Sequence, residues 1–166
     1  MEPGPGGARR DGPLPREGHV RVRGANLFCR EVGRGLPIAV LHGGPDFDHN
    51  YLLPQLDPLA GSFRLIYYDQ RGRGRSADDV RADEVTIESE VADLDGLREH
   101  FHLPSIAVLG HSWGAVLAME YAIRHPERIS HLILMNPAPA PSADYGSMRH
   151  RRDRDWPVDM ERMRAI

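Results

Sequence analysis

The sequence predicts an α/β fold with a mostly parallel sheet, and three observations carry that expectation. Short runs that are apolar without polar alternation recur at residues 37–41, 64–68 and 105–109, as in strands covered on both faces. Stretches with helical periodicity, 87–100 and 113–125, lie between or after them. A serine with glycines two residues to either side, Gly110-His111-Ser112-Trp113-Gly114, joins one such strand to one such helix. Alternation of strand and helix implies right-handed crossovers.

Each element has a local reason. Residues 19–23 and 26–32 alternate enough to be two strands of a hairpin turning at Gly24-Ala25. The apolar strand 37–41 ends in His42-Gly43-Gly44-Pro45, and residues 51–60 read as a short helix bent around Pro54 and Pro58. Strand 64–68 runs into Asp69-Gln70-Arg71-Gly72-Arg73-Gly74-Arg75-Ser76, a loop with glycines at two bends. Thr86 is placed to cap helix 87–100, whose Ile87, Val91, Leu94, Leu97 and Phe101 recur on one face. The glycine-flanked serine, helix 113–125 and strand 131–135 follow. Pro137, Pro139 and Pro141 then make an extended linker.

Composition narrows the class. The 166 residues suit one domain with a real core. The net charge of -3, without a concentrated block, gives no support for polyanion binding. All 21 basic residues are arginine. In residues 144–166 aspartates interrupt the arginines, as on a solvated helix face with Arg149/Asp153 and Arg151/Asp155 at i,i+4 spacing, so no nucleic-acid partner is expected. No run approaches the ~20 apolar residues that span a bilayer, and the N-terminus lacks an apolar signal region. Residues 1–18 read as a disordered leader, 19–137 as the core, and 138–166 as linker and the beginning of a cap. Cys29, the single cysteine, reads as a small buried residue and fits a cytoplasmic compartment. No cofactor and no metal site is expected.

The chemistry centres on Ser112. Where a strand turns sharply into a helix, side chains at positions 110 and 114 would collide with the neighbouring backbone, and the serine hydroxyl is left exposed above the sheet. Such a serine needs donors for a developing oxyanion. The carboxyl ends of parallel strands share one edge, so the amides of Gly44 (or Gly43) and Trp113 can converge on one oxygen. Asp46 and Asp48 lie near this loop and read first as turn-forming residues.

These three segments, in register over about residues 20–137, resemble the α/β-hydrolase superfamily and, within it, the proline iminopeptidase-like branch. The resemblance implies Ser112 as nucleophile, Gly44 and Trp113 as oxyanion donors, and a sheet truncated here before its last strands, with the start of a helical cap. It implies a small-molecule or short-peptide substrate with a small N-terminal residue, proline among them; esters or lactones are the alternative. Serine at 112 separates the chain from the similar haloalkane dehalogenases and epoxide hydrolases, which place aspartate there. Asp46 stands where the iminopeptidases usually have glycine, and because the cap only begins after Pro141 the residues that read the substrate's amino terminus in that family cannot be placed. In this superfamily the acid and histidine follow the serine, so the chain reads as an N-terminal part whose own activity is doubtful, or an inactive fragment. His111, His42, His125 and His131 suit packing or bracing; Asp144 and His150 are the acid–histidine pair in the right order. The strand order of the family leaves 131–135 as an apolar sheet edge, a route to self-association.

Overall fold

The computed structural model describes residues 14–44 and 47–138. Six strands form one sheet: β1 (Arg16–Val22), β2 (Ala25–Gly33), β3 (Leu36–Leu41), β4 (Phe63–Tyr68), β5 (Ile106–His111) and β6 (Ile129–Met135). Their order is β1-β2-β4-β3-β5-β6. β2 is antiparallel to both β1 and β4, while β3–β4, β3–β5 and β5–β6 are parallel. This is the mostly parallel α/β sheet that the sequence predicts.

The alternation of β3 explains why it is apolar throughout. Ile38 and Val40 pack with Leu65, Tyr67, Ala107 and Leu109 on the face covered by α1 (Leu53–Leu56). Ala39 and Leu41 pack on the opposite face with Leu27, Val108, and residues of α2 (Ile87–His100) and α3 (Trp113–Arg124). A strand buried on both sides has no solvent face to make polar. Pro54 and Pro58 each sit in the first two positions of a new short helical piece, so 50–61 is broken as expected.

Thr86 caps α2 through a reciprocal pair: Ser89 N–H donates to Thr86 Oγ1 at 3.1 Å, and Thr86 N–H to Ser89 Oγ at 3.0 Å. The buried face of α2 is apolar at Val91, Leu94 and Leu97, yet Glu90, Asp93 and Asp95 are buried beside them. Arginines match these charges. Arg71 donates to both Asp93 oxygens at 2.8 and 2.6 Å, and reaches the Arg23 carbonyl at 3.0 Å in the hairpin turn. Asp95 accepts from Arg98 at 2.9 Å, Arg128 at 2.7 Å and the Tyr121 hydroxyl at 3.2 Å.

Two boundaries differ from the sequence reading. β1 begins at Arg16, so residues 16–18 belong to the sheet rather than to a leader, paired with Glu31, Arg30 and Cys29. The hairpin turns at Arg23 and Gly24, with φ of 45° and 83°, one residue earlier than expected. Positive φ at both central positions gives the turn the twist of its strands. At the other end, β6 is the edge strand among the described residues, and Leu132, Ile133 and Leu134 are 40%, 38% and 39% exposed. No helix among the described residues is long and apolar enough to cross a membrane.

The Arg71–Asp93 pair ties the β4 end, the hairpin turn and α2 together. Replacing Arg71 by Met leaves Asp93 buried without its counter-ion, and is expected to cost about 3–5 kcal/mol of stability. Urea unfolding checks this; a loss below about 1 kcal/mol, the scale of a surface pair, contradicts it.

Candidate active site

Ser112 stands between β5 and α3 with φ 53° and ψ -112°, an unusual conformation for a residue with a side chain. The close approach around it is steric. A Cβ on Gly110 would lie 2.3 Å from the Gly114 carbonyl oxygen, and a Cβ on Gly114 would lie 2.3 Å from that of Leu41. Ser112 is held by its main chain: its N–H donates to Met135 at 3.0 Å, and its carbonyl accepts from Ala115 and Ala138 at 3.1 and 3.2 Å. Trp113 is the first residue of α3, so its N–H has no acceptor within the helix.

The loop after β3 lies against this turn. A Cβ on Gly43 would meet the Tyr51 hydroxyl at 3.0 Å, Ser112 Cβ at 3.1 Å and His111 Nδ1 at 3.2 Å. Of the two glycine amides left as alternatives by the sequence, that of Gly43 is already engaged, donating to the Tyr51 hydroxyl at 2.7 Å. The carbonyl of Gly43 accepts from His42 Nδ1 at 2.6 Å, and His42 Nε2 accepts from the Gln70 N–H at 3.0 Å. His42 is therefore neutral with its proton on Nδ1. Burial agrees, lowering its pKa from 6.5 to about 4 against the opposing pull of the Gly43 carbonyl and Asp69. In a planar trans peptide the N–H and C=O point opposite ways, so pinning the Gly43 carbonyl on buried His42 turns the Gly44 N–H away from it.

The loop after β4 braces both segments. Asp69 is fully buried; burial pushes its carboxyl up, but hydrogen bonds from the His49 ring and from the Arg75 and His49 amides win and hold it below the ordinary carboxylate range. His49 Nδ1 lies 2.6 Å from Asp69 Oδ1 and its Nε2 lies 3.3 Å from Arg75 Nη2. This acid–histidine couple is sealed in the interior with both ring nitrogens engaged, so it supplies no base to Ser112. Gln70 Nε2 donates to the His42 carbonyl at 2.7 Å, and Arg73 donates to Gln70 Oε1 at 3.2 Å. Arg73 also pairs with Glu90, whose other oxygen accepts the Trp113 indole N–H at 3.3 Å.

The structure thus gathers Ser112, Gly43, Gly44, Trp113, Gly110, His111 and Gly114 at one edge of the sheet. His125 and His131 lie at the far end of α3 and early in β6. Asp48 Oδ1 accepts the Asn50 N–H at 2.8 Å, the turn-forming role expected of it. Asp144 and His150, like Asp46, lie outside the described residues. From sequence alone Tyr51, His49, Gln70 and Glu90 have no role in the site: Gln70 reads only as part of the Asp69–Ser76 loop and Glu90 as a first-turn residue of α2, and nothing local separates Tyr51 and His49 from ordinary loop and helix residues. Among the described residues no group of three or more His, Cys, Asp or Glu gathers as a metal site.

A strand–turn–helix serine at the carboxyl edge of such a sheet is the hallmark of one architecture. The chain belongs to the α/β-hydrolase fold family, which residues 37–165 match. Within it, the chain falls in the proline iminopeptidase-like branch. It is 38% identical over 150 residues to the proline iminopeptidase of Lactobacillus crispatus, covering 86% of this chain and 50% of that one. A proline iminopeptidase-related protein of Thermus thermophilus, 29% identical, superposes with a TM-score of 0.70 over 87% of this chain and 58% of its own. An epoxide hydrolase of Bacillus megaterium, 31% identical, superposes with a TM-score of 0.68 over 81% of this chain and 46% of its own. The chain spans half or less of the length of the curated relatives it matches.

His42 yields a pH prediction. The unfolded chain takes up a proton at its histidines near pH 6.5, whereas folded His42 resists it until about pH 4. Its contribution to stability is complete above 6.5 and declines as pH falls toward 4, by at most about 3 kcal/mol. An NMR titration of the His42 ring is expected to show a midpoint near 4; a midpoint at or above the ordinary histidine value contradicts the neutral, buried brace.

Proposed function

We propose that this chain carries the nucleophile and oxyanion site of a serine hydrolase acting on peptides or amides with an N-terminal proline or other small residue. The observation that carries the reading is Ser112, held at φ 53° and ψ -112° on a turn where side chains at 110 and 114 would collide with backbone. A backbone so strained points to function rather than stability. The substrate class rests on the similarity to proline iminopeptidases, at 35–40% identity among the bacterial and archaeal examples.

In this mechanism Ser112 Oγ attacks the substrate carbonyl carbon and its proton passes to a base outside the described residues. The family's order puts that histidine and its acid on a further part of the protein, and within this sequence His150, with Asp144 as its acid, is the alternative. The carbonyl oxygen becomes an oxyanion at the N-terminus of α3, where the Trp113 N–H and the positive helix end favour negative charge. The Gly44 N–H supplies the second donor. Collapse of the tetrahedral intermediate breaks the carbon–nitrogen bond, the amine leaves with a proton from the base, and water then releases the acyl group from Ser112. Cys29 takes no part: burial, with the charge of Asp69, pushes its thiol up to about 12.

The epoxide hydrolase likeness supports the fold and not that chemistry, since serine rather than aspartate occupies the turn. A small-ester hydrolase keeps the same core and is separated by assay. In a longer version that carries an acid and a histidine after Ser112, turnover of proline arylamide that Ser112→Ala lowers by about three orders of magnitude or more is the expected result. Turnover of nitrophenyl esters alone replaces the peptidase reading with an esterase; turnover indifferent to Ser112→Ala rejects the nucleophile.

A further inference from the structure

We propose that Tyr51 is a positioning residue for the oxyanion loop, a strut whose hydroxyl takes the Gly43 amide out of use and leaves Gly44 as the loop's donor. This rests on the reading of Ser112 as nucleophile. Tyr51 begins no helix and fills no core: it is 39% exposed, within the short turn Asn50–Leu52 ahead of α1. Its ring needs no hydroxyl to make the edge contacts with Phe47 and His111, at centroid distances of 5.8 and 5.5 Å. Yet the hydroxyl makes two short hydrogen bonds across the site, each 2.7 Å, one to the Gly43 N–H and one to His111 Nδ1.

The direction of the Gly43 bond is fixed by chemistry. Gly43 N–H can only donate, so it uses a lone pair of the Tyr51 oxygen. The oxygen keeps its proton and a second lone pair, so the bond to His111 Nδ1 forms with either ring tautomer. The strut thereby joins the loop after β3 to the residue immediately before Ser112. Gly43 is crowded against Ser112 Cβ, so a free amide there would be a second loop donor within the same few ångströms as Gly44. Two loop amides competing for one oxygen would leave its position poorly defined, and preorganised donors are worth most when fixed. Together with the His42 bond to the Gly43 carbonyl, the strut pins both peptide planes that meet at Gly43. Burial also raises the Tyr51 pKa, so the hydroxyl keeps its proton near neutrality.

Tyr51→Phe tests this in the full chain. Amide hydrogen exchange read by NMR is expected to speed up about tenfold at Gly43, the scale of one lost hydrogen bond. Val40 and Val108, deep in the sheet, keep their rates and report an intact fold. In the arylamide assay kcat is expected to fall about tenfold with KM within about twofold, the signature of an interaction made in the transition state. An unchanged Gly43 rate overturns the strut. Faster Gly43 exchange with unchanged kcat, where Ser112→Ala abolishes turnover, overturns its positioning role. Turnover that survives Ser112→Ala defeats the nucleophile reading instead, and the Gly43 rate then still decides whether the strut exists.

Discussion

The architecture around Ser112 depends on how closely α3 approaches the sheet. The carbonyl oxygen of Leu41 lies where a side chain at 114 would begin, and the carbonyl of Gly114 lies where one at 110 would begin. With glycine at both places, β5 runs into α3 with a single intervening residue, and that residue takes the strain at φ 53°. The same approach sets the first amide of α3 beside the loop that follows β3. Alanine at either glycine would push the helix off the sheet, and the site would be lost before the fold was.

Around this contact the chain builds a circuit of hydrogen bonds rather than an apolar plug. It runs from the Trp113 indole to Glu90, Arg73, Gln70 and His42, then through Gly43 to Tyr51 and back to His111. Apart from the local Arg73–Gln70 and His42–Gly43 bonds, each link joins residues 8 to 60 positions apart, and several members are buried. Buried charges of this kind contribute little net stability, because desolvation offsets their attraction. What they provide is one permitted arrangement, since breaking any link leaves a polar group without a partner. A neutral His42 is essential to it, because one ring nitrogen must donate and the other must accept.

Much of the fold was legible in the sequence because its causes are local or periodic. Thr86 announces its helix, the apolar run at β3 announces a strand covered on both faces, and Gly110 and Gly114 announce the tight turn at Ser112. The first residues of β1 were not legible: Arg16, Glu17 and Gly18 carry no strand signal of their own and extend the ladder because Glu31, Arg30 and Cys29 are there to pair with. The hairpin turn was displaced by one residue because nothing about Arg23 marks a positive φ. In the candidate site, the sharp turn at Ser112 and the two glycine loops could be read, but not that the Gly43 amide is engaged. That bond is made by Tyr51, eight residues from Gly43 and sixty from His111, and no short-range pattern encodes it.

The central claim is geometric: one oxygen bound to the carbon, or its phosphorus mimic, on Ser112 is held by Trp113 and Gly44. The most direct test is a crystal structure of the chain after reaction with a small phosphonofluoridate, which forms a tetrahedral adduct on an activated serine. The account predicts phosphorus on Ser112 Oγ, with one phosphoryl oxygen about 2.7–3.1 Å from the amide nitrogens of Trp113 and Gly44, and with Gly43 N–H still on the Tyr51 hydroxyl. A phosphoryl oxygen resting on Gly43 N–H, or pointing away from α3, would contradict it.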